Sequence, residues 1–200
     1  MKLLKLIIAS HNQGKLKEFQ QSLKEYPFEI ISLSEYPFLD EVEETGKTFE
    51  ENARLKAETI ARLTGEYVLA DDSGLVVTSL NGAPGVYSAR YSGDNATDEE
   101  NNDKLLMELT DKIDRTAYFV SCLVLAHPQK ESLVVEGTVE GTILKERQGD
   151  KGFGYDPLFY YDSLSKTFGE LTLEEKNKVS HRSQAINKLL NQLPTWLGSD

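Results

Sequence analysis

Cysteine is almost absent from this chain of 200 residues: Cys122 stands alone, which excludes a disulfide framework and a cysteine-ligated zinc site and fits a reducing compartment. Long hydrophobic runs are missing as well. No stretch approaches the roughly 20 apolar residues that a membrane span needs, and the run within Met1 to Ser10 has no small-residue cleavage site, so neither membrane insertion nor secretion is expected. Basic residues are too few to grip a nucleic acid. With 22 Lys and Arg against 33 Asp and Glu, the net charge is −11, and no long basic tract supplies the cations that phosphate neutralisation requires. Repeats, low-complexity tracts and linkers are lacking too. What remains is ordinary globular material, 39% hydrophobic and 28% charged, which excludes disorder and predicts one domain over residues 1–200, soluble and cytoplasmic.

Strand and helix patterns alternate along the chain. Lys2 to Ala9 reads as a buried strand running into the polar loop Ser10 to Lys15, after which Leu16, Phe19 and Leu23 recur at helical spacing until Pro27. Glu29 to Leu33 predicts a second strand. Thr48 and Glu51 form a capping box opening a helix to about Leu63, with Phe49, Ala53, Lys56, Ala57, Ile60 and Leu63 on one face. Tyr67 to Ala70 reads as a strand ending at Asp71-Asp72-Ser73-Gly74, with another strand over Leu75 to Ser79. Capping boxes at Thr97 with Glu100 and Thr172 with Glu175 open further helices. Thr116 to Ala126 and Ser132 to Gly141 predict a hairpin, and a last helix from Ser180 should stop at Pro194. The class is α/β with a mixed sheet, in one body or two lobes.

Four stretches carry candidate chemistry. The loop Ser10, His11, Asn12, Gln13, Gly14, Lys15 precedes a helix, whose first N–H groups attract anions. It is not a Walker A loop, since Ala9 stands where that motif has its first glycine and Leu16 where Ser or Thr follows the lysine. A phosphate cradle and a plain capped turn both fit. Lys56 sits on an otherwise apolar helix face, either snorkelling to water or aimed into a polar cleft, with Asn52 one turn earlier. Asp71 and Asp72 follow an apolar strand; they make either a polar turn or a carboxylate ligand for Mg²⁺, for which Glu41, Glu43 or Glu44 could supply a second. In Gly152-Phe153-Gly154-Tyr155-Asp156-Pro157, glycines admit a flat ligand, rings stack on it and Asp156 accepts from it; a kinked core loop is the alternative. Lys176, His181 and Arg182 add donors near the end of the chain. Together these are the parts of a nucleotide hydrolase.

At this point the chain resembles the inosine triphosphate pyrophosphatase family, which acts on non-canonical purine nucleoside triphosphates. The resemblance is carried in order by Ser10–Lys15, Glu44-Thr45-Gly46 with Phe49–Ala57, Ala70–Leu75, Ala83–Gly93, Gly152–Phe159, and Lys176 with Ser180-His181-Arg182. His11 departs from it, where many members have a small residue. The resemblance implies an elongated mixed sheet flanked by helices, two lobes around a cleft and a homodimer. It implies hydrolysis of ITP, dITP and XTP to the monophosphate and pyrophosphate with Mg²⁺. Position by position, Ser10 to Lys15 and Lys56 would hold the triphosphate, Glu44 and Asp72 the metal, and Ser73 the substrate. Phe153, Gly154, Tyr155, Asp156, Lys176, His181 and Arg182 would recognise the base, and Asp72 would accept the proton of the attacking water. Two rivals are a nucleotide sensor without turnover and a pyrophosphatase for other modified nucleotides. An aspartyl-phosphate mechanism is disfavoured, because the second Asp it needs two places on is Ser73 or Gly74.

Overall fold

The computed structural model describes residues 3–198, so Lys2 of the expected first strand lies outside the described residues. The elements are β1 (Leu4–Ile8), α1 (Gln13–Leu23), β2 (Phe28–Ser32), α2 (Phe49–Thr64), β3 (Tyr67–Val77), α3 (Asp98–Glu108), β4 (Thr116–His127), β5 (Lys130–Ile143), β6 (Phe159–Tyr161), β7 (Lys166–Thr167), α4 (Leu173–Val179) and α5 (His181–Leu197), with short 3₁₀ turns between them. The strands form one mixed sheet in the order β2-β1-β3-β4-β5-β6-β7. β1 runs parallel to β2 and β3, with Leu6 opposite Ile30 and Tyr67, while β5, β6 and β7 pair antiparallel. The two residues joining β4 to β5 suffice only for a hairpin.

The chain divides into two compact units: the residues up to Asp72 with Ser121–Gly137 and the segment from Arg182, and Ser73–Val120 with Thr138–His181. In the first unit, strand alternation sorts the core into two clusters. Leu6, Ile8, Leu69, Leu123 and Leu125 pack with Leu16, Phe19 and Leu23 of α1 and Ala185, Ile186 and Leu189 of α5. Their neighbours Ile7, Ala9, Val68, Ala70, Cys122 and Val124 pack with Ala53, Ala57, Ile60 and Ala61 of α2. The end of β1, Leu6 to Ile8, is apolar without a break because it is covered on both faces, whereas Lys5 is exposed. The second unit has its own core, in which Leu105 of α3 and its C-cap Leu109 meet Phe119, Val139, Ile143, Phe159 and Phe168.

Three sequence expectations are corrected. β3 does not end at Asp71: it runs unbroken to Val77, with the Asp71 carboxylate compensated by tertiary partners and that of Asp72 buried rather than turned out to water. Leu63 does not share the buried face of α2 and is 63% exposed, since the buried positions are Asn52, Ala53, Ala57, Ile60 and Ala61. α5 continues past Pro194 to Leu197. Tertiary contacts hold that final turn: the Trp196 indole donates to the Glu131 carbonyl, and the Lys130 ammonium donates to the carbonyls of Trp196 and Leu197.

Candidate active site

The alternation that sorts the first core also separates Asp71 from Asp72. Leu69 belongs to the α1/α5 cluster and Ala70 to the α2 cluster, so along a continuous strand Asp71 follows Leu69 and Asp72 follows Ala70. The contacts agree. The Asp71 carboxylate takes the Lys15 ammonium of α1 at 2.8 Å, the Arg182 guanidinium of α5 at 3.3 Å and the Ser121 hydroxyl at 2.5 Å. Arg182 also pairs with Glu18 of α1, and both of those side chains are buried. Burial pushes the Asp71 carboxyl up, but Arg182 and Lys15 outweigh it and hold the group well below the usual carboxylate range. Asp71 is therefore a permanent anion. Arg182 is raised by the same logic, burial lowering it and the two carboxylates more than compensating.

Asp72 lies in the field of the α2 side. Lys56 donates to the Glu44 carboxylate and to the Asp71 carbonyl, each at 2.8 Å, so its ammonium is neither a snorkelling tip nor part of the apolar face. Asp72 is 5% exposed and its Oδ2 is buried without a hydrogen-bond partner. Burial is the main reason its pKa is raised to about 6; Lys56 and Lys15 pull it down, while Glu44 and Asp71 push it up. A buried carboxylate oxygen with no donor is a destabilising feature, which marks the position for something that binds there. Among the described residues no group of three His, Cys, Asp or Glu side chains is placed to hold a metal. The chemistry of Asp72 and Glu44 nonetheless fits Mg²⁺, which takes one or two carboxylates and completes its shell with water and substrate phosphates.

The glycine-containing loop before α1 is organised by its own side chains. Asn12 is the N-cap, its Oδ1 accepting from the Lys15 amide at 3.0 Å, and Ser10 Oγ accepts from the Asn12 amide at 3.1 Å. His11 and Gln13 are exposed, and Gly14 with Lys15 lies in the first turn. Ser73 is the next residue of β3 after Asp72.

The second unit carries the remaining expected residues apart from Arg182. The Lys176 ammonium, 2% exposed as a residue, donates to Asp156 Oδ2 at 2.7 Å and stands 4.5 Å from the centre of the Phe153 ring. Asp156 Oδ2 also accepts from the Phe153 amide at 3.0 Å. Gly152, at φ +73°, is required there, because a Cβ would run into the Asp156 carboxylate. The Gly154 amide donates to Asp98 Oδ2 at 2.8 Å and its carbonyl accepts from Asn102 at 3.0 Å; the Tyr155 hydroxyl donates to the Ser88 carbonyl at 2.7 Å. The His181 ring stacks on Phe119 with centroids 4.8 Å apart.

Lys15, Lys56, Glu44 and Asp72 thus occur together in one unit, and Phe153, Asp156, Lys176 and His181 in the other. The Arg182 guanidinium engages Glu18 and Asp71. Its position at the start of α5, on the same side of the sheet as α1, accounts for this. Sequence reasoning left out Glu18, Ser121 and the role of Asp71 as the hub. Glu18 had a legible signal, a carboxylate between the core positions Leu16 and Phe19 and one turn from Lys15; Ser121 had none.

Comparison with known proteins agrees over nearly the whole chain. The profile of the Ham1 family matches residues 6–192. A dITP/XTP pyrophosphatase of Streptococcus pneumoniae is 55% identical over 96% of this chain and 97% of its own length, and one of Streptococcus agalactiae is 54% identical over 96% of this chain. This chain spans 60% of the length of the latter. The structure of the Staphylococcus aureus Ham1 protein superimposes with a TM-score of 0.85 at 47% identity, covering 94% of this chain and 97% of the other.

Proposed function

The chain belongs to the Ham1 family, and from that premise we propose that it is a nucleoside triphosphate pyrophosphatase for ITP, dITP and XTP. The supporting observation is Asp72: a buried carboxylate with one partnerless oxygen, its pKa raised to about 6, beside two lysines and a second carboxylate. A proton acceptor serves best with a pKa near the working pH, and Asp72 is tuned in that direction.

In this reading the loop of Ser10, His11, Asn12, Gln13, Gly14 and Lys15, together with Lys56, holds the triphosphate, and Ser73 adds a substrate contact. Asp72 and Glu44 hold Mg²⁺, which supplies Lewis-acid stabilisation of phosphate charge when bound. Asp72 takes a proton from water as the water oxygen attacks the α-phosphorus. The bond from the α-phosphorus to its bridging oxygen breaks, and that oxygen leaves with pyrophosphate while the monophosphate remains. The two lysines stabilise the charge that develops on the phosphates, a larger effect than the helix end alone, since a charge pair at 4 Å in partly protected surroundings approaches ~4 kcal/mol against ~0.3–1 kcal/mol for a helix terminus. Asp71 stays ionised and orients Lys15.

The base is assigned to the loop of Phe153, Gly154, Tyr155 and Asp156 with Lys176 and His181. Donors meet the 6-oxo group of hypoxanthine or xanthine, where adenine would present an amino group, and an unpaired donor facing a donor costs several powers of ten in rate. Arg182 holds Glu18 and Asp71, and with Asp71 it belongs to the side that orients Lys15. The active form is taken as a homodimer in the cytoplasm, without nucleic-acid or membrane partners. Among the described residues no helix is long and apolar enough to cross a membrane. The deciding experiment is incubation with a panel of nucleoside triphosphates and Mg²⁺ with detection of pyrophosphate. Rapid release from ITP, dITP and XTP with little from ATP is expected, and Asp72→Asn should abolish it. Orthophosphate release, or binding without turnover, would reject the proposal.

A further inference from the structure

Asn52 is 0% exposed, which is unusual for an amide side chain in the second turn of a helix. Its Oδ1 accepts from the Gly46 amide at 2.7 Å, a bond across six residues that ties the incoming loop to α2. Since Oδ1 must face that N–H, the other end of the amide is Nδ2, and Nδ2 is buried without a partner. The approach is close enough to require glycine at 46: a Cβ there would stand 2.6 Å from Asn52 Oδ1 and 2.6 Å from the Glu51 Cβ. Two residues before Gly46 is Glu44, and one turn after Asn52 on the same helix is Lys56, whose ammonium lies 2.8 Å from the Glu44 carboxylate. Glu44 and Lys56 therefore meet across a short closed loop, and the Asn52–Gly46 bond is its latch.

We propose that Asn52 is a positioning residue for Glu44, fixing the loop so that its carboxylate is presented for a divalent cation. The inference rests on the assignment of Glu44 as a metal ligand. The local chemistry argues against a role confined to stability. Thr48 already caps α2, accepting from the Glu51 amide at 3.1 Å, and Glu51 accepts from the Lys47 amide at 2.6 Å, so the helix start is satisfied without Asn52. A residue kept only for packing would not leave an amide donor unmatched in the interior. Groups that orient a metal ligand act at one remove, and their loss typically weakens metal affinity about 10–100-fold.

Two readouts test it. In the full-length protein, amide hydrogen exchange at Gly46 should be about tenfold faster in Asn52→Ala than in the wild type, without metal or nucleotide, because its acceptor is gone. With ITP as substrate, the Mg²⁺ concentration for half-maximal pyrophosphate release should rise about tenfold, with kcat at saturating Mg²⁺ within about twofold of wild type. Asn52→Asp keeps the acceptor oxygen and should keep Gly46 protected, which serves if the alanine variant fails to fold. Thr48→Ala, which frays the helix start without touching Gly46, should leave the Mg²⁺ requirement unchanged. Unaltered Gly46 exchange in Asn52→Ala, or an unaltered Mg²⁺ requirement with exchange accelerated, would overturn the proposal. A wild-type protein that released no pyrophosphate would overturn the assigned function instead, while the exchange result would still report on the latch.

Discussion

Replacing Asp72 with Asn should end turnover and, in the metal-free protein, alter stability in a way that grows with pH. The carboxyl is raised from 3.8 to about 6, chiefly by burial, and at 5% exposure solvent screening does little to reduce the effect. The folded protein therefore binds this proton more tightly than the unfolded chain, and stability falls as pH rises from the unfolded pKa through the folded one. Each pKa unit corresponds to about 1.4 kcal/mol, so ionised Asp72 costs about 1.5 kcal/mol at about pH 5 and about 3 kcal/mol at about pH 7.5. Asn carries no charge and is free of this dependence. Urea unfolding of both proteins in EDTA should show the stability of the Asn variant relative to wild type increasing by about 1.5 kcal/mol between those two pH values. Any contribution from the new amide group is independent of pH and cancels in that comparison. A difference that stays constant from pH 5 to 7.5 would refute the claim that the site holds a destabilised carboxylate.

Arg182→Met would leave Glu18 and Asp71 as buried carboxylates without their common partner, and should destabilise the protein by about 3–5 kcal/mol in chemical denaturation. Arg182→Lys should not restore it, because a single ammonium lacks the planar fork that reaches two carboxylates. For wild type, kcat/KM for ITP should fall on the acid side of about pH 6, where free Asp72 gains its proton and loses both its basicity and its charge; a profile flat to pH 5 would contradict its assignment as acceptor. Lys176→Met should raise KM for ITP more than it lowers kcat, as steady-state kinetics would show, since Lys176 engages Asp156 and the Phe153 ring rather than the phosphate residues. EDTA should stop pyrophosphate release, and added Mg²⁺ should restore it.

The local grammar of the chain determined a good deal. Hydrophobic periodicity and the Thr-to-Glu spacing located α2, α3 and α4, whose N-caps are Thr48, Thr97 and Thr172; the reciprocal capping box forms at Thr97 and Thr172, whereas Glu51 accepts from the Lys47 amide instead of that of Thr48. The apolar run of β1 predicted a buried strand, while Lys56 on an apolar helix stripe was compatible with either a snorkelling tip or a polar cleft, and only the packing brought its ammonium to Glu44 and the Asp71 carbonyl. Local rules fail where distant segments supply the compensation. Asp71 to Gly74 has the composition of a turn, yet it is strand, because Lys15, Arg182 and Ser121, remote in sequence, neutralise or bond the Asp71 carboxylate. Pro194 signals a stop, yet α5 passes through it because Lys130 and Glu131 hold the turn beyond. Local pattern alone left open which of the two adjacent aspartates is held ionised and which is raised, and only the family resemblance singled out Asp72. Charge and burial act through space, and only the packing of α1, α2 and α5 on opposite faces of one strand gave Asp71 its cations and left Asp72 an oxygen without a partner.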